Sequence, residues 1–318
     1  PDDSLIVACT RVSDLSWQAT AQNLELFTAQ GGSSALVRLL RSSSEEVVDA
    51  AAAALASLSC PSSRKPRASR EVHVGGHSIL LSEQDFSTSG TGHTVWTSAL
   101  VLGVWMAAAE QLPLWEKNPR VLELGSGLGV NGILAAKLGA KITLSDYFPP
   151  LIENLERQVV ANGVAEKCRV VHLNWAAEAG IEAPTSTRAP DFSNLLGNLS
   201  ASEVERCALL ETNESFPIII GADVCYEPSH PELLSATITR RLAPGGTAYI
   251  MSAVRFPELH ARLLTNLAAA GNAVAVKDVS SEEGPLAVSF IEEGSTQHSS
   301  RYQGGLVLIT VTAPVQGV

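Results

Sequence analysis

Residues 121–129 read Val121-Leu122-Glu123-Leu124-Gly125-Ser126-Gly127-Leu128-Gly129. A short apolar strand runs into a loop of alternating glycines, and Val130 to Leu138 continues at helical spacing. Glycine lets the backbone turn sharply and lets a ligand come close. In an open α/β sheet this carboxyl edge is where ligands sit. Outward from the loop, strand and helix alternate. Lys141 to Ser145 predicts a strand and Pro150 to Asn162 a helix. Arg169 to Leu173 and Ile218 to Ala222 predict strands, separated by a loop-rich insertion at 180–215. Glu232 to Leu242 predicts a helix, Pro244-Gly245-Gly246 a turn, Thr247 to Ser252 a strand and Pro257 to Ala270 a helix. Val274 to Val279 and Leu306 to Thr312 are the last strands, expected antiparallel because no obvious helix joins them. Upstream, Glu71 to Leu81 has strand character around Gly75-Gly76, Ser87 to His93 is loop, and Val95 to Ala109 is an apolar helix. The alternation implies a mostly parallel sheet with right-handed crossovers.

The chain has 318 residues, 45% hydrophobic and 17% charged, which excludes wholesale disorder. A net charge of -11 argues against an electrostatic grip on nucleic acid, and none is expected as a partner. Five scattered cysteines without a CxxC pair argue against a zinc ribbon and suit a reducing compartment. The histidines show no metal-ligand spacing, so no metal is expected. Apolar runs fall short of the ~18 to 20 residues of a membrane span. No signal peptide is expected, because Asp2 and Asp3 stand where positive charge would be; the opening Pro1 leaves an upstream segment open. The expected location is cytoplasmic, with the nucleus also open.

Residues 1–62 read as helices only. Trp17 to Phe27 is a short helix candidate, followed by the breaker pair Gly31-Gly32. Leu36, Val37, Leu39 and Leu40 lie at helical spacing, Ser42 to Ser44 breaks the run, and Val47, Val48, Ala51, Ala54, Leu55 and Leu58 form the next apolar face. This stretch resembles one armadillo repeat, on Ala35-Leu36-Val37-Arg38-Leu39-Leu40, Glu45-Glu46-Val47 and Ala53-Ala54-Leu55-Ala56-Ser57-Leu58. Such a unit cannot bury its face alone and needs neighbours or a cap. The basic, breaker-rich residues 63–70 are expected as a linker to a second domain at 71–318.

The glycine loop departs from the dinucleotide fingerprint GxGxxG: Gly129 comes one place early and Val130 holds the fingerprint position. Glu123, two residues before the first glycine, is poor company for a pyrophosphate. It suits a ligand carrying positive charge, such as the sulfonium and ammonium of S-adenosylmethionine. Asp146 ends the second strand, where a carboxylate accepts both ribose hydroxyls, although Asp is also a common turn residue. Asn174 offers an amide or backbone group to an adenine edge, and Trp175 a face to pack on the base or simply a cap over the sheet.

Together these residues resemble a class I, seven-β-strand S-adenosylmethionine-dependent methyltransferase. More narrowly, the chain is similar to the methyltransferase-16 family of protein-lysine methyltransferases. That likeness rests on Trp96-Thr97-Ser98-Ala99 after Gly90-Thr91-Gly92, on Glu123 to Gly127, on Asn174-Trp175, and on Gly221-Ala222-Asp223-Val224-Cys225-Tyr226, which matches the family's DxxY signature. The resemblance implies a Rossmann-like α/β fold: a seven-stranded, mostly parallel sheet with helices on both faces and the last strand antiparallel, here preceded by a small all-α armadillo-like segment. It implies S-adenosylmethionine as cofactor, with contacts at Trp96, Gly125, Ser126, Gly127, Asp146, Trp175 and Ala222, to which the reading of the loop adds Glu123, Gly129 and Asn174. Asp223 and Tyr226 would face the acceptor amine, as orienting and wall residues; a helix cap and a packed aromatic are their plain alternatives. Asn174 stands where many members carry an acid. The implied activity is transfer of a methyl group to a lysine of a cytosolic protein, a translation factor or chaperone segment being suited to the acidic chain. Transfer to a histidine or small molecule, a cofactor-binding interaction module, and a nicotinamide oxidoreductase are the competing readings. A partner could dock on the helical N-terminal segment.

Overall fold

The computed structural model describes residues 69–82, 94–181, 206–279 and 305–315, with Gly92 and Val204, and in the N-terminal part residues 32–39 and scattered positions between 4 and 51. The chain divides into two compact units, Pro1–Ala68 and Ser69–Val318.

In the first unit, helix α1 (Gly32–Leu39) buries Leu36 against Cys9 and Ala51, with Phe27, Leu39 and Ala50 at the margin. The serine break closes as a cap: the Val47 amide donates to Ser44 Oγ at 3.4 Å, and Val47 and Val48 are helical. The Trp17 to Phe27 helix candidate falls outside the described residues except for Phe27, which is helical, and the linker falls outside them up to Ala68.

The second unit opens with a hairpin, β1 (Ser69–Val74) and β2 (His77–Ser82), turned at Gly75-Gly76. β1 therefore begins two residues inside the stretch expected as linker. Helices α2 (Thr97–Ala107) and α3 (Leu112–Glu116) follow. Then come β3 (Arg120–Leu124), α4 (Val130–Leu138), β4 (Lys141–Asp146), α5 (Pro149–Ala161) and β5 (Cys168–His172). The four-residue α6 (Trp175–Glu178), β6 (Phe216–Ala222), α7 (His230–Arg241), β7 (Leu242–Ala253), α8 (Pro257–Ala269), β8 (Ala273–Asp278) and β9 (Leu306–Thr312) complete the unit.

The seven-stranded sheet has the order β5-β4-β3-β6-β7-β9-β8. β5, β4, β3, β6 and β7 are parallel neighbours, while β9 runs antiparallel to both β7 and β8. Order reverses between β3 and β6, which is where open α/β sheets bind ligands. Alternating side chains feed two apolar layers. Val121, Ile218, Ile220 and Met251 pack with α2, α4 and α5; Leu122, Leu124, Ile219 and Ile250 pack with α7 and α8. At the opposite end of the sheet, Arg120 and Arg169 share Glu214 at 2.6 and 2.5 Å.

Two local readings are revised. The expected turn Pro244-Gly245-Gly246 lies within β7: Phe216 pairs with Leu242 but Ile218 with Thr247, so the turn bulges out of a strand that has already begun. Gly245 takes a left-handed φ of 71° there. The short α6 was not expected. Most of the 180–215 insertion, and the connection between the last two strands, lie outside the described residues.

Candidate functional site

The loop after β3 holds its shape through three left-handed glycines, Gly125 (φ 61°), Gly127 (φ 52°) and Gly129 (φ 81°). It is tied to the end of β4. The Ser126 amide donates to the Ser145 carbonyl at 2.9 Å, the Ser145 amide to Ser126 Oγ at 3.0 Å, and Ser145 Oγ to the Glu123 carbonyl at 2.6 Å. A methyl group on Gly125 would come 3.0 Å from Val224 and 3.8 Å from the Trp175 ring, so the loops after β3, β5 and β6 converge there. Gly129 points the other way: a side chain on it would strike Leu155 at 2.7 Å. It serves packing at the start of α4, and its own surface is buried rather than offered to a ligand.

Asp146 faces the loop from the tip of β4. Its Oδ2 accepts from the Gly127 amide at 2.9 Å, and its Oδ1 from the Tyr147 and Phe148 amides at 2.8 and 3.2 Å. Burial raises its pKa, and these three bonds hold it down. The carboxylate is thus fixed at the sheet edge, with lone pairs left for a diol.

Glu123 lies beneath the loop rather than on it. It is 3% exposed, and its Oε2 is buried without a well-formed hydrogen bond. Desolvation pushes its pKa up to about 8, against the opposing pull of the Ser126 side chain and the Gly132 amide. A buried carboxyl with one oxygen left unpaired under a glycine cradle fits a cationic ligand above it better than a pyrophosphate.

Asn174 caps α6: its Oδ1 accepts from the Ala176 and Ala177 amides at 2.9 and 3.4 Å. What remains for an adenine edge is its Nδ2. Trp175, the first residue of α6, presents its ring against Gly125 and meets His230 edge-on at 5.5 Å. His230 also meets Tyr226 at 4.5 Å, and its Nδ1 accepts from the Tyr226 amide at 3.4 Å. Burial lowers the imidazole to about 4, so it is neutral and acts here as a wall. The Cys225 thiol is buried and pushed up to about 11, an inert filler.

Asp223 follows Ala222, the half-buried last residue of β6. It has a left-handed φ of 59°, held by its amide donating to the Met251 carbonyl at 2.9 Å. Its carboxylate is taken in both oxygens by Arg255, at 2.5 and 2.6 Å. The same guanidinium lies 5.2 Å over the Trp96 ring, at the cap of α2. The structure therefore brings Trp96, Gly125, Gly127, Asp146, Asn174, Trp175, Ala222, Asp223 and Tyr226 to one sheet edge. Ser126 is buried as part of the loop's own bonding.

Arg255 and His230 escaped the sequence reading. Arg255 lies two residues beyond the carboxyl end of β7, the edge where ligands bind, and that position was its one available signal. His230 lies four residues after Tyr226 but only at the first position of the helix, so the turn between them, which no spacing announces, brings the rings together.

A lysine methyltransferase family profile matches residues 76–188, and an armadillo/β-catenin-like repeat profile matches residues 22–60. The zebrafish protein N-lysine methyltransferase METTL21A is 31% identical over 209 residues, covering 64% of this chain and 79% of that protein. The mouse EEF1A lysine methyltransferase 3 is 28% identical, covering 57% and 63%. A histone-arginine methyltransferase METTL23 from Xenopus laevis is 32% identical over a shorter stretch, covering 46% and 50%. With the glycine cradle, the buried carboxyl and the aromatic walls at one sheet edge, these likenesses place the chain in the lysine methyltransferase family.

Proposed function

We propose that the protein transfers a methyl group from S-adenosylmethionine to a lysine side chain of another protein. The observation that carries this reading is the pairing at one sheet edge of a carboxylate-anchored glycine loop with the Asp223-to-Tyr226 turn, in a chain whose zebrafish relative is named a lysine methyltransferase. Asp146 would accept the ribose hydroxyls, Gly125 and Gly127 would let the ligand lie against the backbone, and Trp175 and Asn174 would receive the base. Glu123, which burial alone keeps protonated, would ionise beneath a bound cation and balance its charge. When bound, the cofactor supplies a methyl carbon open to in-line attack by a nitrogen lone pair.

The protein's task is to position that lone pair and keep it unprotonated. A lysine amine has a free pKa near ~10.4 and must lose its proton first. Trp96, Tyr226 and neutral His230 supply apolar and aromatic walls that disfavour an ammonium. Asp223, paired with Arg255, orients this wall and is not the proton acceptor; water is.

The acceptor is read as a translation factor or chaperone segment, in keeping with the acidic chain and with a relative named for EEF1A. The armadillo-like segment is read as a docking element for it. The scattered cysteines, read as thiols, suit a reducing compartment, the cytosol or the nucleus.

The test uses tritium-methyl-labelled cofactor with an extract lacking this activity, followed by hydrolysis of any labelled band. Methyllysine, absent with an Asp146→Ala enzyme, is the expected outcome. Methylarginine or methylhistidine would overturn the choice of acceptor. Label only in small molecules would overturn the protein substrate.

A further inference from the structure

Asp223 is the most committed carboxylate at this edge. It sits on the turn whose Val224 packs against Gly125, and it is held by both nitrogens of Arg255 at 2.5 and 2.6 Å. A carboxylate left bare beside an incoming lysine would favour the ammonium, the wrong protonation state for attack. An opposite charge within ~4 to 6 Å stabilises the charged form by about 1 to 3 pKa units. A bidentate guanidinium cancels that field and is itself always charged.

We propose that Arg255 is a positioning residue that neutralises Asp223, so that the acceptor lysine meets a charge-balanced pair and gives its proton to water as it enters. This rests on the lysine reading above. Arg255 also lies over Trp96, so one side chain ties the end of β7 to the end of β6 and to the cap of α2.

The other ionisable groups around the pair do not take its place. His260, on α8, shares a 2.7 Å hydrogen bond between Nε2 and Ser252 Oγ; burial lowers its pKa while the charge of Asp223 pulls it up. His230 is neutral above about 4, with Glu227 lying 3.6 Å from its Nε2. Glu123 and Asp146 lie on the glycine-loop side, and Glu123 titrates near about 8. Its titration is common to wild type and variants and cancels between them.

The test compares two non-reactive cofactor analogues on the full chain by calorimetry at pH 7.5. S-adenosylhomocysteine is uncharged at sulfur, whereas sinefungin carries a protonated amine in place of the methylsulfonium. Arg255→Gln bares Asp223, so sinefungin should tighten relative to S-adenosylhomocysteine by at least about tenfold, one pKa unit's equivalent. Adding Asp223→Asn should return the ratio to the wild-type value, and Arg255→Lys should leave it there. Asp223→Asn alone leaves a cation without its partner, and sinefungin should weaken relative to S-adenosylhomocysteine. That variant decides the matter if Arg255→Gln fails to fold. An unchanged ratio in either variant, with S-adenosylhomocysteine binding intact, overturns the proposal.

With the labelled band as substrate, the pH–rate profile of Arg255→Gln should move to higher pH by about one unit or more and return in the double variant. A uniform loss of rate without a shift would mark a merely structural pair and overturn the proposal. No labelled band from wild type would instead sink the lysine reading, while the analogue ratio still judges Arg255.

Discussion

Asp146 and Glu123 are both carboxyls of the ligand edge, and their surroundings set them to opposite tasks. Asp146 keeps its charge by accepting three backbone amides, one of them from Gly127. Asp146→Asn would turn a donor toward an amide that is already a donor, and hydrogen bonds to charged groups contribute about 1.5–3 kcal/mol. Affinity for S-adenosylhomocysteine should therefore fall by about tenfold or more, measured by calorimetry, with the fold intact by circular dichroism. Glu123 draws only on the Ser126 side chain and the Gly132 amide, which do not offset its burial, and its pKa rises from 4.5 to about 8. A carboxyl whose folded pKa is raised costs nothing below its unfolded pKa. Its contribution is lost as pH rises through the folded value, because folding must then hold a proton or bury a charge. Wild-type stability should decline between about pH 4.5 and 8 relative to Glu123→Gln. Denaturant midpoints of both proteins at pH 5 and pH 9 measure this; a constant difference would show that Glu123 stays ionised. The positions of both acids were legible in the sequence, because strand ends are legible. Arg255 was not, since its partner Asp223 lies 32 residues away and only the pairing of β6 with β7 brings them together.

At the scale of elements, α6 is too short to be stable alone. It is held from both ends, by the Asn174 cap and by Glu178, whose carboxylate takes Arg241 of α7 at 2.7 and 2.6 Å. Arg241 is 2% exposed, and its Nη1 also donates to the carbonyls of Glu211, Thr212 and Glu214. Arg241→Met would leave Glu178 with only the more exposed Arg240, 3.4 Å away, and three carbonyls without their donor, at a cost of about 3 kcal/mol. Asn174→Ala should cost only about 1 kcal/mol through the lost cap. It should nevertheless loosen Trp175 and raise the KM for cofactor more than it lowers kcat. A second case reverses a rule. Gly132 sits inside α4, where alanine ordinarily gains about 1 kcal/mol. Here a methyl would lie 2.5 Å from Glu123 Oε2 and 2.6 Å from Leu144, so Gly132→Ala should lower the thermal midpoint. The long periodic helices and the apolar strands were readable because burial repeats along them. The β7 bulge and α6 were not: the Pro-Gly-Gly run signals a turn whether or not a strand surrounds it, and a four-residue helix has no period to read.

The second unit is a sheet covered on both faces, and among the described residues its two apolar layers run from Val72 to Ala313. Alternation of strand and helix made the parallel sheet legible. The order β5-β4-β3-β6-β7-β9-β8 was less so, because no residue pattern says on which side of β3 the chain places β6. That placement creates the crevice, and it explains why single motifs pointed to the ligand edge while the neighbours within it did not follow from spacing. The first unit has a small apolar cluster of its own around Leu36, and the repeat profile falls wholly within it. Since the chain divides at Ala68 into two compact units, a chain beginning at Ser69 should fold cooperatively and bind S-adenosylhomocysteine within about twofold of the full-length affinity. A molten or aggregating product would mean that the helical segment completes the catalytic unit. With binding intact, labelling of the protein band separates the remaining possibilities. If the armadillo-like segment docks the acceptor, removing it should raise the KM for the labelled protein while leaving the KM for cofactor unchanged. Equal labelling with and without residues 1–68 would place all acceptor recognition on the methyltransferase unit itself.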